Sequence, residues 1–196
     1  MDLLTPLVVL PLGWWVLDGI GGLRGRAFVA FLVIAALWAS AQGIHLASNA
    51  IGDAFQAGAP RDAFYATDAG ALDHFLDEDL SHWLWHIAWV ALSILMLLLA
   101  TWRPAWSGGG GAVAGFGGLI HGVTFFLVTA EGGTAGLGIP ASVVIAIWSA
   151  SLVRRGSTHP VFRFFFVASV VTLVLDLVWA AMHGGQLVEP CSVLGC

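Results

Sequence analysis

The chain contains no lysine: all seven of its basic residues are arginines. That absence excludes chemistry that runs through a lysine amine, whether a retinal Schiff base or a lysine nucleophile. Charge of either sign is scarce, at 10% of residues, where a soluble domain carries roughly 25%. With 59% hydrophobic residues and a mean hydropathy of +0.90, there is too little polar surface to cover a water-soluble globule. Soluble enzymes and disordered tails are thereby excluded. A net charge of -5 also excludes a phosphate-binding surface, so no nucleic acid is expected as a partner. Cysteine is limited to Cys191 and Cys196. Their place in the last six residues points to a small disulfide in an oxidising compartment rather than a redox centre. No Cys-x-x-Cys-His sequence occurs, so any haem would be held non-covalently.

What the chain does have is long apolar runs. A bilayer core of about 30 Å takes roughly 20 apolar residues per helix. Six runs of that kind fall at 3–20, 27–47, 81–102, 112–130, 137–153 and 161–183. The expected fold is therefore all-α, a polytopic membrane helical bundle with six transmembrane helices forming one integral membrane domain. The first run lacks a basic leader and a small-residue cleavage pattern, so it reads as a retained helix rather than a signal peptide. Pro140 suits the first turn of the fifth span. Ser157-Thr158-His159-Pro160 reads as the capped start of the sixth.

Arginine distribution sets the expected orientation. Arg24, Arg26, Arg103, Arg154, Arg155 and Arg163 fall in alternate loops, and only Arg61 falls on the other side. By the positive-inside rule the arginine side is cytoplasmic, so both termini are external. A bacterial inner-membrane location follows. The segment 51–80 then forms an external loop or helix between spans two and three. It carries Asp53, Asp62, Asp68, Asp73, Asp77, Glu78 and Asp79. Trp14, Trp15, Trp102, Trp106 and Trp179 lie near span ends, as interfacial anchors do. Gly111, Gly115, Gly118 and Gly122 recur at helical spacing in the fourth span, which suits close helix packing in lipid.

Seven histidines in so apolar a chain are unusual, and their distribution is more telling than their number. Ionisable groups inside spans are expensive and mark function. His45, His82, His86, His121 and His183 all fall in the outer half of the membrane, on four different helices. Asp176 lies about 10 Å below His183, and His121 about 14 Å below its helix end. His159 falls on the cytoplasmic turn and has no assigned role.

His74, Glu78, His82 and His86 are spaced four apart and form one stripe if the third span extends back into the loop. Asp79, His82 and His86 form a second set. Two histidines four apart on a helix hold one ion from the same face. A neighbouring acid serves as ligand, orienting partner or general base. His45 offers a third nitrogen, and Asn49 an amide one turn on. The expected metal ligands are His45, His82, His86 and His183, with Glu78 and Asp79 as catalytic acids and bases. His121 and Asp176 are cofactor-binding or relay positions. Nitrogen ligands with a carboxylate suit zinc, iron or copper rather than magnesium or calcium.

Several functions fit these residues. The first is a metal-dependent hydrolase or oxidoreductase acting on a lipid, an amphiphile or a quinol. Its ingredients are similar to those of ceramidase-like membrane hydrolases, which set three histidines, an aspartate and a serine on transmembrane helices. Here the histidine pair lies on the third span rather than the last and no serine-to-histidine spacing corresponds, so no family is assigned. A second reading is a haem- or chlorophyll-type pigment protein with histidine axial ligands. A third is an accessory subunit of a larger membrane complex. Transport is disfavoured because polar groups are scarce in the arginine-side half.

Overall fold

In lipid a backbone has no water to bond, so each apolar run closes its hydrogen bonds within itself as a helix. The structure, a computed structural model, describes residues 5–56, 61–102, 110–190 and 193. Arg103, Trp106, Cys191 and Cys196 lie outside the described residues. The helices are α1 (Thr5–Gly21), α2 (Arg26–Gln56), α3 (Arg61–Tyr65), α4 (Asp68–His74), a π-helical segment (Phe75–Ser81), α5 (His82–Thr101), α6 (Gly111–Glu131), α7 (Ala135–Arg154) and α8 (Pro160–Met182). The protein is an all-α membrane helical bundle. Five helical stretches are long and apolar enough to cross a bilayer, while α1 is apolar but shorter.

The outer faces of these helices are what a lipid-facing surface requires. Val113 of α6 is 76% exposed and Leu177 of α8 is 71% exposed, positions where water would penalise apolar side chains and hydrocarbon does not. Trp15 and Trp102 are exposed as well, in keeping with anchoring at span ends. The buried apolar core gathers Leu17, Phe31, Trp38, Leu92 and Phe162, largely toward the end that carries Arg24, Arg26, Arg154 and Arg155. We call this the arginine end, and the opposite one the histidine end.

Helix packing without a hydrophobic drive depends on close approach, and α6 against α8 is the tightest pairing in the bundle. A Cβ at Gly118 or Gly122 would collide with the backbone oxygens of Phe164 and Ala168, respectively. Thr172 Oγ1 donates across the same seam to Gly122 O at 3.0 Å. Gly111 abuts the Arg163 side chain, whereas Gly115 faces open space. The glycine stripe thus serves α8 at three of its four positions.

Three helix boundaries differ from the sequence expectation. First, α2 runs on to Gln56 as 31 continuous residues, so Asn49 and Asp53 are helical rather than in a loop. Second, α7 begins at Ala135, which puts Pro140 inside the helix. Third, the acidic connection is itself helical, and α4 passes through the π segment into α5. At the start of α8, Pro160 occupies the first turn and His159 is the cap, its Nδ1 accepting from Val161 N at 3.3 Å.

Candidate functional site

The wider turn of the π-helix, closed by i→i+5 bonds, reassigns which acids face the bundle. Asp73, Asp77 and Ser81 are buried, while Asp79 is exposed. Ser81 Oγ donates to the Asp77 carbonyl and helps hold the widened turn. Asp77 thereby meets α2: His45 Nδ1 lies 2.7 Å from Asp77 Oδ1. The contact is close but off the hydrogen-bond line, so the His45 nitrogen has no aligned partner among the described residues.

Asn49, one turn along α2, ties the pair together. Its Nδ2 lies 3.2 Å from Asp77 Oδ1, 3.2 Å from His45 Nε2 and 3.1 Å from His45 O. With two N–H groups it serves two of these acceptors at once. When it donates to Nε2, the His45 proton sits on Nδ1 and faces Asp77. In this tautomer Nδ1 carries the proton and Nε2 accepts from Asn49, so a ligand held at Nδ1 requires the other tautomer.

His82 and His86 of α5 complete the cluster. The His45 and His82 rings are 5.2 Å apart, and the His82 and His86 rings stack at 5.9 Å. His82 Nδ1 is 3.8 Å from Glu78 Oε2 and is buried without an aligned partner among the described residues. His86 is 1% exposed, and its Nδ1 lies 2.5 Å from the hydroxyl of fully buried Thr134. The α6–α7 turn supplies that threonine and also closes the site from one side. A Cβ at Gly132 would come within 2.9 Å of His86 Cε1 and 3.0 Å of His82 Cγ.

Beside the His45–Asp77 pair is a polar cavity of about 150 Å³. It is lined by Ser48, Asn49, Asp53, Tyr65, Asp77 and Glu78. Two of its wall residues, Asn49 and Asp77, are the ones that touch His45.

Of the residues expected to form the site, His45, Glu78, His82 and His86 meet here. The Asp79 side chain is exposed and makes no bond or ion pair with them among the described residues; only its carbonyl is engaged, by His82 N. His74 leaves the stripe and packs against Tyr65. His183 turns onto its own helix, with Nδ1 2.8 Å from Trp179 O and its ring 4.1 Å from the Trp179 ring. His121 lies deeper and accepts from Trp89 Nε1 at 3.2 Å. Asp176 is buried on α8 with neither carboxylate oxygen bonded among the described residues, and it does not join the cluster. Among the described residues, no group of three or more His, Cys, Asp or Glu side chains is arranged so that it could hold a metal ion.

The sequence reading missed Asp77, Gly132 and Thr134. Asp77 shares its acidic run with Glu78 and Asp79, and α-helical spacing does not single it out. The glycine and threonine follow Glu131 directly, and a turn that returns a helix to the same end was the available signal. No protein-family model, curated protein or solved structure matches the chain.

Proposed function

We propose that this protein is a metal-dependent membrane hydrolase, with His45 and His82 as nitrogen ligands, Asp77 as the third donor and His86 in support. The observation that carries this reading is the pair of buried, unaligned nitrogens, His45 Nδ1 and His82 Nδ1, in adjacent rings next to the Asp77 carboxylate. A nitrogen, nitrogen and oxygen donor set suits zinc, iron or copper. Small rotations of these rings, with the His45 proton moved from Nδ1 to Nε2 and the Asn49 bond to Nε2 released, would be needed to bring the donors to one point. A bound ion of this kind lowers the pKa of its water toward neutrality.

The chain's own groups supply the rest. Before an ion binds, Asp77 and Asn49 hold the His45 ring in one orientation, and the Asn49 N–H released from Nε2 on binding becomes free. Glu78, partly exposed at the cavity rim, takes the proton as water adds to a carbonyl carbon. It returns that proton to the leaving oxygen or nitrogen as the bond breaks. Asn49 also offers an N–H to the carbonyl oxygen. The substrate class is an ester or amide amphiphile, its headgroup in the polar cavity and its tail along the apolar flank. A haem or pigment has less support, because the cavity beside the histidines is small and walled by carboxylates. The arginine distribution and the positive-inside rule support a bacterial inner membrane with the histidine end facing outward.

The test is elemental analysis of the full-length protein in detergent, loaded with zinc and dialysed. One ion per chain is expected, retained in Asp79→Asn and lost in His45→Ala and His82→Ala. No retention by the wild type, or full retention by the double alanine variant, overturns the proposal.

A further inference from the structure

A second cavity, of about 370 Å³, lies inside the apolar layer, between α1 on one side and α6 and α8 on the other. It is unlike the polar cavity in every respect. Trp38, Trp89, Phe164 and Phe165 wall it, and the Trp38 and Trp89 rings are stacked at 5.4 Å and 26°. At its mouth, Leu12 and Val16 of α1 are themselves exposed on the lipid-facing flank. The cavity therefore opens sideways into the layer occupied by lipid tails.

One imidazole and one hydroxyl interrupt this apolar lining, and the hydroxyl, Ser93 Oγ, is already spent on Trp89 O at 3.0 Å. An indole nitrogen only donates, so the bond from Trp89 Nε1 makes His121 Nε2 an acceptor. In the neutral ring the proton then resides on Nδ1, leaving one N–H donor. No hydrogen bond to that nitrogen occurs among the described residues. A donor without a protein partner in an apolar wall is costly unless a ligand accepts from it. Ring walls, a lateral mouth and an unspent imidazole donor together describe the occupant: flat, lipid-soluble and carrying a carbonyl oxygen.

We propose that this cavity binds a membrane quinone, with His121 Nδ1–H donating to a ring carbonyl and the tail leaving between α1 and α8. The site is separate from the histidine cluster and stands whether or not a metal binds there. Quinone entering from the bilayer need never cross water.

The experiment uses full-length protein in nanodiscs and a tritiated benzoquinone bearing a ten-carbon chain. Saturable binding of one molecule per chain is expected. His121→Phe, which keeps a ring but removes the donor, should weaken binding about tenfold, the roughly 1.4 kcal/mol of one hydrogen bond. Gly13→Leu should block binding by filling the cavity from α1, since a Cβ there meets Leu92 and Phe31 only at ordinary contact distances, 3.6 and 3.8 Å. His82→Ala should bind as the wild type does. Competition on the wild type adds a test that needs no variant: decylbenzene, with the same tail and no carbonyl, should displace the quinone poorly. Absence of saturable binding, unchanged affinity in His121→Phe, or equal displacement by decylbenzene overturns the proposal. The last result would identify a groove for lipid chains.

Discussion

The α6–α8 seam and the α2–α5 seam are built on opposite plans. In the first, glycines bring backbone against backbone, and the one polar side chain shown bonding across it, Thr172, donates to carbonyls on both helices. In the second, large rings and polar side chains fill the interface. Trp38 Nε1, both amide atoms of Gln42, His45 Nδ1, His82 Nδ1 and Trp85 Nε1 are all buried there without partners among the described residues. Evenly distributed imperfection would signify little. Orphaned polar atoms concentrated in one seam, and that seam leading to the histidine cluster, fit the function proposed above, in which stability is given up where a ligand is held.

This contrast can be broken most forcefully at the glycine seam. Gly122→Leu adds a side chain where even a Cβ meets the Ala168 backbone, so a loss of roughly 3 kcal/mol is expected. It would be read as a lower midpoint in a denaturant titration of the detergent-solubilised protein, and an unchanged midpoint would mean the seam is looser than described. The opposite sign is expected across the other seam. Gln42 is 1% exposed, and Gln42→Met removes an unpartnered amide while keeping its length. A gain of about 1–2 kcal/mol should follow, and a loss would reveal a partner for that amide. Thr172→Val, which deletes the bonds to Gly122 and Ala168, should cost about 0.6–1 kcal/mol by the same titration.

The smallest effect belongs to His159, outside the spans at the arginine end. Burial holds its imidazole below the usual value of 6.5, and the neutral ring caps α8. The unfolded chain takes up a proton as pH falls through that value while the folded chain resists. Stability is therefore full above the unfolded value and declines below it. Lowering pH from about 7 to about 5 should reduce the wild-type midpoint by up to ~1 kcal/mol. His159→Asn, a cap that does not titrate, should flatten that slope, and an identical slope in both proteins would remove His159 as its source.

The solvent and the helices were legible in the sequence because both follow from local composition. Twenty apolar residues in lipid have one backbone solution, and the glycine spacing already pointed to a close-packed face. The convergence of His45, His82 and His86 was also readable, since depth along a helix is simple arithmetic. The choice among Asp77, Glu78 and Asp79 was not. It depends on a π turn, and no residue in 75–81 announces that one more residue will be taken into the turn. The His86 partner was equally hidden, because Thr134 reaches it from 48 positions away through a turn whose geometry is tertiary. His183 illustrates the converse: it does end α8, but its bond to Trp179 O directs it along its own helix.

The length of α2 has a consequence for how anything reaches this protein. Thirty-one residues at about 1.5 Å each give roughly 46 Å, against a hydrocarbon layer of about 30 Å. If an upright helix entered hydrocarbon at Arg26, it would leave near residue 46, which would put His45 at the boundary and Asn49 and Asp53 among headgroups. A molecule still embedded by its tail would thus present its polar linkage at the level of that imidazole. Recruitment from the plane of the bilayer would require neither extraction of the molecule nor opening of the bundle.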